Sequence, residues 1–245
     1  MKSERQKVLL DTLNTVEFSS VTKLASILKV SEMTVRRDIN ELAEEKLLIK
    51  EHGGARRLNS ILSTNDKMYR NTKEKEYIGK IMSQLIDDND VIFIGAGTTI
   101  YYALQSIKLS YKSIITNSIV SFNYLMENGF PNIFLTGGEL FEQTGEFYGE
   151  HAEALLEQFN IDKAFLATNG IYEENVTTSK PALGRLQNKV IDNAKKSFLI
   201  ADHSKFNFAD TYTFITLDKL DGIITDKYIS NETLEHYRKL IKIYN

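Results

Sequence analysis

Two helical patterns separated by a two-residue turn, followed by a glycine pair, constrain this chain more than any other feature. They lie in residues 19–58, SSVTKLASILKVSEMTVRRDINELAEEKLLIKEHGGARRL. Leu24, Ile27 and Leu28 are spaced three and four apart, which predicts a helix with one buried stripe beginning after Ser20. Lys29 and Val30 leave room only for a tight turn. Ser31 is a natural N-cap for the next helix, whose apolar positions are Val35, Ile39 and Leu42. At about 100° per residue, the opposite face carries Met33, Arg37 and Asn40, with Thr34 and Arg36 beside them. An earlier helix is expected over residues 4–15, with Ser3 as N-cap and Gln6 three residues on. Its stripe includes Val8, Leu9, Leu13 and Val16. Residues 47–51 and 55–58 read as two short strands joined at His52-Gly53-Gly54, where glycine permits positive φ.

A serine-capped helix with adjacent arginines in its first turns, set on a helix-turn-helix and followed by a wing, suits the DNA major groove. A generic three-helix bundle with a solvated arginine pair is the plainer alternative. The run Ser-Glu-Met-Thr-Val-Arg-Arg-Asp with a Gly-Gly wing downstream is more specific, and residues 8–58 resemble the DeoR family of bacterial transcription regulators. That resemblance implies a double-stranded DNA operator as partner. Ser31, Met33, Thr34, Arg36 and Arg37 would enter the groove or grip its phosphates, with Arg37 and Thr34 best placed for base edges. Arg36, Lys50, Arg56 and Arg57 would hold backbone phosphates, and His52 sits in the wing turn within reach of the duplex. A single winged helix reads a short half-site, so a homo-oligomer, dimer or tetramer, is expected.

Charge fits this division. The chain carries −3 overall, yet residues 1–58 carry +2 and the remainder −5. The basic excess is small, so DNA affinity must come from placed charges and from multiple subunits. The absence of cysteine excludes disulfides, thiolate metal sites and thiol nucleophiles. His52, His151, His203 and His236 match no metal-ligand spacing, and no cofactor is implied. No apolar run approaches the roughly 18 residues of a membrane span, and no signal-peptide pattern opens the chain, so no membrane partner and a cytoplasmic location are expected.

The expected domains are 1–58, a linker over 59–72, and a larger unit over 73–245. In the larger unit, short β-rich runs at 91–94, 113–116, 132–135, 163–167, 197–201 and 222–225 alternate with helical stretches. This predicts an α/β layer with a mostly parallel sheet. Ligands of such sheets bind at the C-terminal strand ends. There the sequence has Gly95-Ala96-Gly97-Thr98-Thr99, then Thr116-Asn117-Ser118, then Thr136-Gly137-Gly138. Glycine backbone, hydroxyls and a helix N-terminus suit a phosphorylated small molecule, although such residues also favour ordinary turns and caps.

This half likewise resembles the DeoR sensor domain, through GAGTT at Gly95, ITNS at Ile115, LTGGE at Leu135, YGEHA at Tyr148, DKAFLATNGI at Asp162, ADHSKF at Ala201 and LDGIITD at Leu220. The resemblance implies a fold similar to ribose-5-phosphate isomerase and a phosphorylated sugar as effector. Gly95, Gly97, Thr98, Thr99, Asn117, Ser118, Gly138, Asn169, Lys189 and Lys205 are the expected effector residues. Asp202 is expected to face the same cleft. Lys189 is equally a solvated helix lysine, and Arg185 is equally a phosphate partner or a surface residue. The isomerases carry acidic residues where this chain has Leu166-Ala167-Thr168-Asn169-Gly170, and an amide cannot serve as their base. A repressor released by the sugar is therefore expected ahead of an isomerase-like enzyme with an added DNA-binding domain. The Gly-x-Gly-Thr-Thr form and Thr177-Thr178-Ser179 resemble lactose-phosphotransferase-type repressors, which implies a tagatose- or galactose-6-phosphate type of inducer.

Overall fold

The computed structural model describes residues 2–15, 18–45, 47–57, 68, 71–107 and 113–245. Most of the expected linker, together with Val16, Leu58 and the Arg57 side chain, lies outside the described residues. The chain divides into two compact units, Met1–Ser60 and Ile61–Asn245.

The first unit contains helices α1 (Lys2–Thr15), α2 (Val21–Leu28) and α3 (Glu32–Glu44) and strands β1 (Phe18–Ser20), β2 (Leu48–Glu51) and β3 (Gly54–Arg57). Ser20 and Ser31 cap α2 and α3, accepting from the backbone N–H of Lys23 and Thr34 at 3.2 Å each. Lys29, at φ +53, closes α2 in a left-handed C-cap. Leu9, Leu13, Val21, Leu24, Val35, Ile39, Leu42 and Leu48 form the core. Three expectations need correction. Ser3 lies inside α1 rather than capping it, and Gln6 instead donates to Glu41 on α3 at 2.8 Å. Val8 and Ile27 are exposed, lying about 100° from buried Leu9 and about 60° from buried Leu24 round their helices. The wing has three strands in the order β1-β3-β2, since Phe18–Ser20 pairs antiparallel with β3.

That third strand explains the glycine pair. A Cβ at Gly54 would stand 2.3 Å from the Ser19 carbonyl oxygen and 2.6 Å from the Phe18 ring. At Gly53 the surroundings are open, but φ is +78°. Gly54→Ala is expected to destabilise the unit by roughly 1–3 kcal/mol through overpacking, and Gly53→Ala by about 1 kcal/mol through backbone strain. Denaturant unfolding of the full chain, followed by helical circular dichroism, checks the order of the two.

The second unit begins with α4 (Thr72–Gln84). A seven-stranded sheet follows, formed by β4 (Val91–Ile94), β5 (Ser113–Thr116), β6 (Ile133–Leu135), β9 (Ile161–Ala167), β12 (Ala194–Ile200), β14 (Gly222–Ile224) and β15 (Ile243–Tyr244). Its order is β15-β14-β12-β9-β4-β5-β6, and every pairing is parallel. The strands are apolar on both faces, as burial on both sides requires. Ile92, Ile94, Phe165, Phe198 and Ile200 pack against α4, α5 (Thr98–Leu104) and α6 (Ile119–Glu127). Phe93, Ala164, Leu166 and Leu199 face α7 (Glu150–Leu156), α8 (Pro181–Asn193) and α9 (Asn231–Arg238). Two antiparallel additions were not expected. One is the hairpin of β7 (Glu139–Phe141) and β8 (Glu146–Tyr148). The other is a sheet of β10 (Gly170–Tyr172), β11 (Asn175–Thr178) and β13 (Tyr212–Thr216).

The sheet order creates the site. From β4 the chain runs outward to β5 and β6, whereas from β9 it runs the other way, to β12 and β14. The loops leaving β4 and β9 diverge, which opens a crevice at their C-terminal ends.

Candidate functional site

In the first unit, α3 buries Val35, Asp38, Ile39 and Leu42 and turns Met33, Arg36, Arg37 and Asn40 outward. Asp38 ends the Arg-Arg-Asp run, and sequence reasoning assigned it no role. It is fully buried and accepts a two-pronged bond from Arg5 of α1, Nε to Oδ2 at 2.6 Å and the second nitrogen to Oδ1 at 2.8 Å. This planar fork fixes the rotation of α3 and so aims its outer face. The Arg5 guanidinium is held above its usual range by the Asp38 bond, against the smaller effect of burial. Ser31 Oγ and Thr34 Oγ1 are 3.0 Å apart. Glu32 accepts from Thr22 at 2.7 Å and pairs with Arg36 at 3.7 Å. Lys50 and His52 are exposed on the wing, and Arg56 Nε donates to Glu51 at 2.8 Å.

In the second unit, the crevice holds a small, narrow pocket. Gly95 and Ala96 after β4, Asn117 after β5, Leu166 and Ala167 of β9, Glu146 of β8 and Gln187 of α8 line it. Asn117 is almost fully buried, and its Nδ2 donates to the Phe147 carbonyl at 3.2 Å. Among the described residues, no hydrogen-bond partner reaches the buried acceptors Asn117 Oδ1 and Gln187 Oε1. Two unsatisfied acceptors on facing elements are costly unless a ligand or water supplies donors.

Of the expected effector residues, Gly95 and Asn117 line this cavity. Gly97, Thr98, Thr99 and Ser118 continue the same two loops, with Ser118 capping α6. Gly138 lies against the Tyr148 carbonyl at the start of the hairpin. Asn169 donates to Asp210 at 2.7 Å, which fastens the loop after β9. Lys205 follows β12 on the same sheet edge. Lys189 is placed differently. It pairs with Glu157 at 2.5 Å, and it lies about 200° round α8 from Gln187. Arg185 is exposed. Sequence reasoning missed Gln187 and Glu146. Gln187 is the polar neighbour of buried Leu186 on a helix with a clear apolar stripe, so its inward position was readable. Glu146 arrives through a hairpin with no sequence signal.

Beside the crevice, fully buried Asp226 accepts from the backbone N–H groups of His203 and Tyr228 at 2.8 Å, and His203 Nδ1 lies 3.1 Å from each of its oxygens. The Asp226 bond raises the His203 pKa, opposed by partial burial. Burial pushes Asp202 up, but Lys205 and two bonds from Ser204 outweigh it and hold the carboxyl below its ordinary value. A histidine whose pKa rises on folding adds stability that is complete below about pH 6.5 and fades as pH climbs through the raised value. His203→Gln is therefore expected to lower the melting temperature by roughly 2–4 °C near pH 6 and by less near pH 9. Thermal unfolding across that range reads the difference.

The first unit is a winged helix-turn-helix whose outer helix face carries an arginine pair, and the second is an α/β sheet with a crevice at its switch point. Together they define a DNA-binding regulator with its own sensor domain. A model of the DeoR-like helix-turn-helix domain matches residues 5–61, and one of the DeoR C terminal sensor domain matches residues 70–227. The Lactose phosphotransferase system repressor of Lactococcus lactis subsp. lactis is 36% identical over 249 aligned positions, covering 99% of this chain and 98% of that protein. The same-named repressor of Staphylococcus aureus (strain N315) is 31% identical over 248 positions, with the same coverage. Among solved structures, ribose 5 phosphate isomerase A from Neisseria gonorrhoeae is similar with a TM-score of 0.42 and 16% identity, covering 57% of this chain and 55% of that one. The chain belongs to the DeoR family.

Proposed function

We propose that this protein represses a sugar-utilisation operon as a homo-oligomer and leaves its operator when a phosphorylated sugar fills the switch-point crevice. The cavity with its two buried, unpartnered acceptors carries this reading. Asn117 Oδ1, Gln187 Oε1 and the Glu146 carboxylate offer acceptors to a hydroxyl-rich ligand. The Gly95–Thr99 loop and Lys205 suit its phosphate. The relatives are named as repressors of a lactose phosphotransferase system, and tagatose and galactose 6-phosphates are the first ligands to test.

The lining supports binding ahead of turnover. Among the described residues it contains no lysine, arginine or histidine to polarise a carbonyl, and Asn117 and Gln187 cannot exchange protons near neutrality. Glu146 is the one observation that favours an isomerase-like enzyme. Conversion of an aldose 6-phosphate to its ketose by the purified chain would establish that reading, and none is expected. To act as a switch, the effector needs a coupling of roughly 1–3 kcal/mol between sugar site and DNA.

A thermal-shift screen with hexose 6-phosphates is expected to find a stabilising ligand. Gln187→Ala is expected to weaken that ligand about fivefold to tenfold, whereas Lys189→Ala, whose ammonium faces Glu157, is expected to leave it unchanged. Replacing Arg36 and Arg37 together with Ala is expected to abolish gel-shift retention of the operator at physiological salt. Unchanged retention removes the DNA assignment of α3.

A further inference from the structure

We infer that Met33 is the side chain with which α3 recognises thymine. The inference rests on the DNA reading of α3 and adds the identity of one base. Met33 is 76% exposed, more than any other exposed large hydrophobic among the described residues. It stands in the first turn of a helix whose opposite face is fully committed to the core through Val35, Ile39 and Leu42. Its neighbours in that turn are already engaged: Ser31 with Thr34, and Glu32 with Thr22 and Arg36. The tip of α3 therefore presents one flexible thioether chain ringed by polar groups that are held in place.

An apolar chain left in water contributes nothing there, and burying it needs an apolar partner. On the major-groove edge of DNA, the apolar group is the thymine C5-methyl. First-turn residues of a recognition helix are those that reach base edges. Helix geometry supplies the rest of the order. Met33, Arg37 and Asn40 fall within about 60° of one another round the axis, rising about 6 and 10.5 Å from the first. Arg favours guanine and Asn favours adenine. The half-site thus carries a thymine where the start of α3 meets the groove. Met33, unlike a hydroxyl or an amide, reads the methyl group itself.

The test uses the full-length protein and duplexes enriched by it from a random pool. Thymines in the enriched site are replaced one at a time by deoxyuridine, which removes only the C5-methyl. At one or two positions the wild-type protein is expected to bind about fourfold more weakly. At the same positions Met33→Ala is expected to respond by less than about twofold, and Met33→Leu to keep the discrimination. Because Met33 is on the surface, both variants fold. The inference is overturned when every thymine tolerates deoxyuridine, or when Met33→Ala loses as much affinity as the wild type at the same position. It is also overturned when Met33→Ala weakens all duplexes alike, the signature of an apolar contact with protein. A pool that yields no enriched sequence overturns the DNA reading, and this inference with it.

Discussion

The larger unit depends on the central strand β9. It pairs in parallel with β12 on one side and β4 on the other. Phe165 stacks on Phe198 at 5.5 Å, and its carbonyl accepts from Gly95 at 2.9 Å, just where β4 turns into its loop. Beyond its end, the Thr168 hydroxyl lies 2.8 Å from the Thr177 carbonyl and 3.0 Å from that of Gly170, which moors the small antiparallel sheet. The crevice exists because the chain changes direction across this strand. Helices on both faces, the loops at the C-terminal sheet edge and the second sheet all take their positions from it. A polar residue in the middle of β9 would be unpartnered on both sides and would cost more than at any edge position.

The smaller unit solves a different problem. Its core is modest, and its working face must stay polar and exposed. Orientation is secured by a fork, Arg5 to Asp38, which holds α3 by charge and planarity at a point where apolar contacts alone would let it roll. The serine caps and the Thr22–Glu32 bond add fixed points at the start of the same helix. The charge on the outer face can then remain small, because its position is tightly defined.

Much of this was legible in the sequence, for identifiable reasons. Helices α2 and α3 declare themselves by caps and by apolar spacing, which are local. The parallel strands appear as short apolar runs because both of their faces are covered. The Gly95, Asn117 and Thr136 loops are visible because parallel strands must end in loops at one edge. Features that depend on distant partners were hidden. β1 is three residues long and exists only because β3 lies beside it, about 36 positions away in sequence. The β7–β8 hairpin, and with it Glu146, has no alternating pattern to mark it. Lys189 looked suited to an anion, but which side of α8 meets the crevice is decided by Leu186 and Val190 packing inward. Asp38 was read past because its partner lies 33 residues earlier.

A parallel sheet that is not closed has two borders with unpaired backbone. Here one border is β6, three residues long, and the other is β15, two residues long. Neither offers enough consecutive amide and carbonyl groups to template a neighbouring strand. A second copy of this chain therefore finds little backbone at either border with which to extend the parallel sheet.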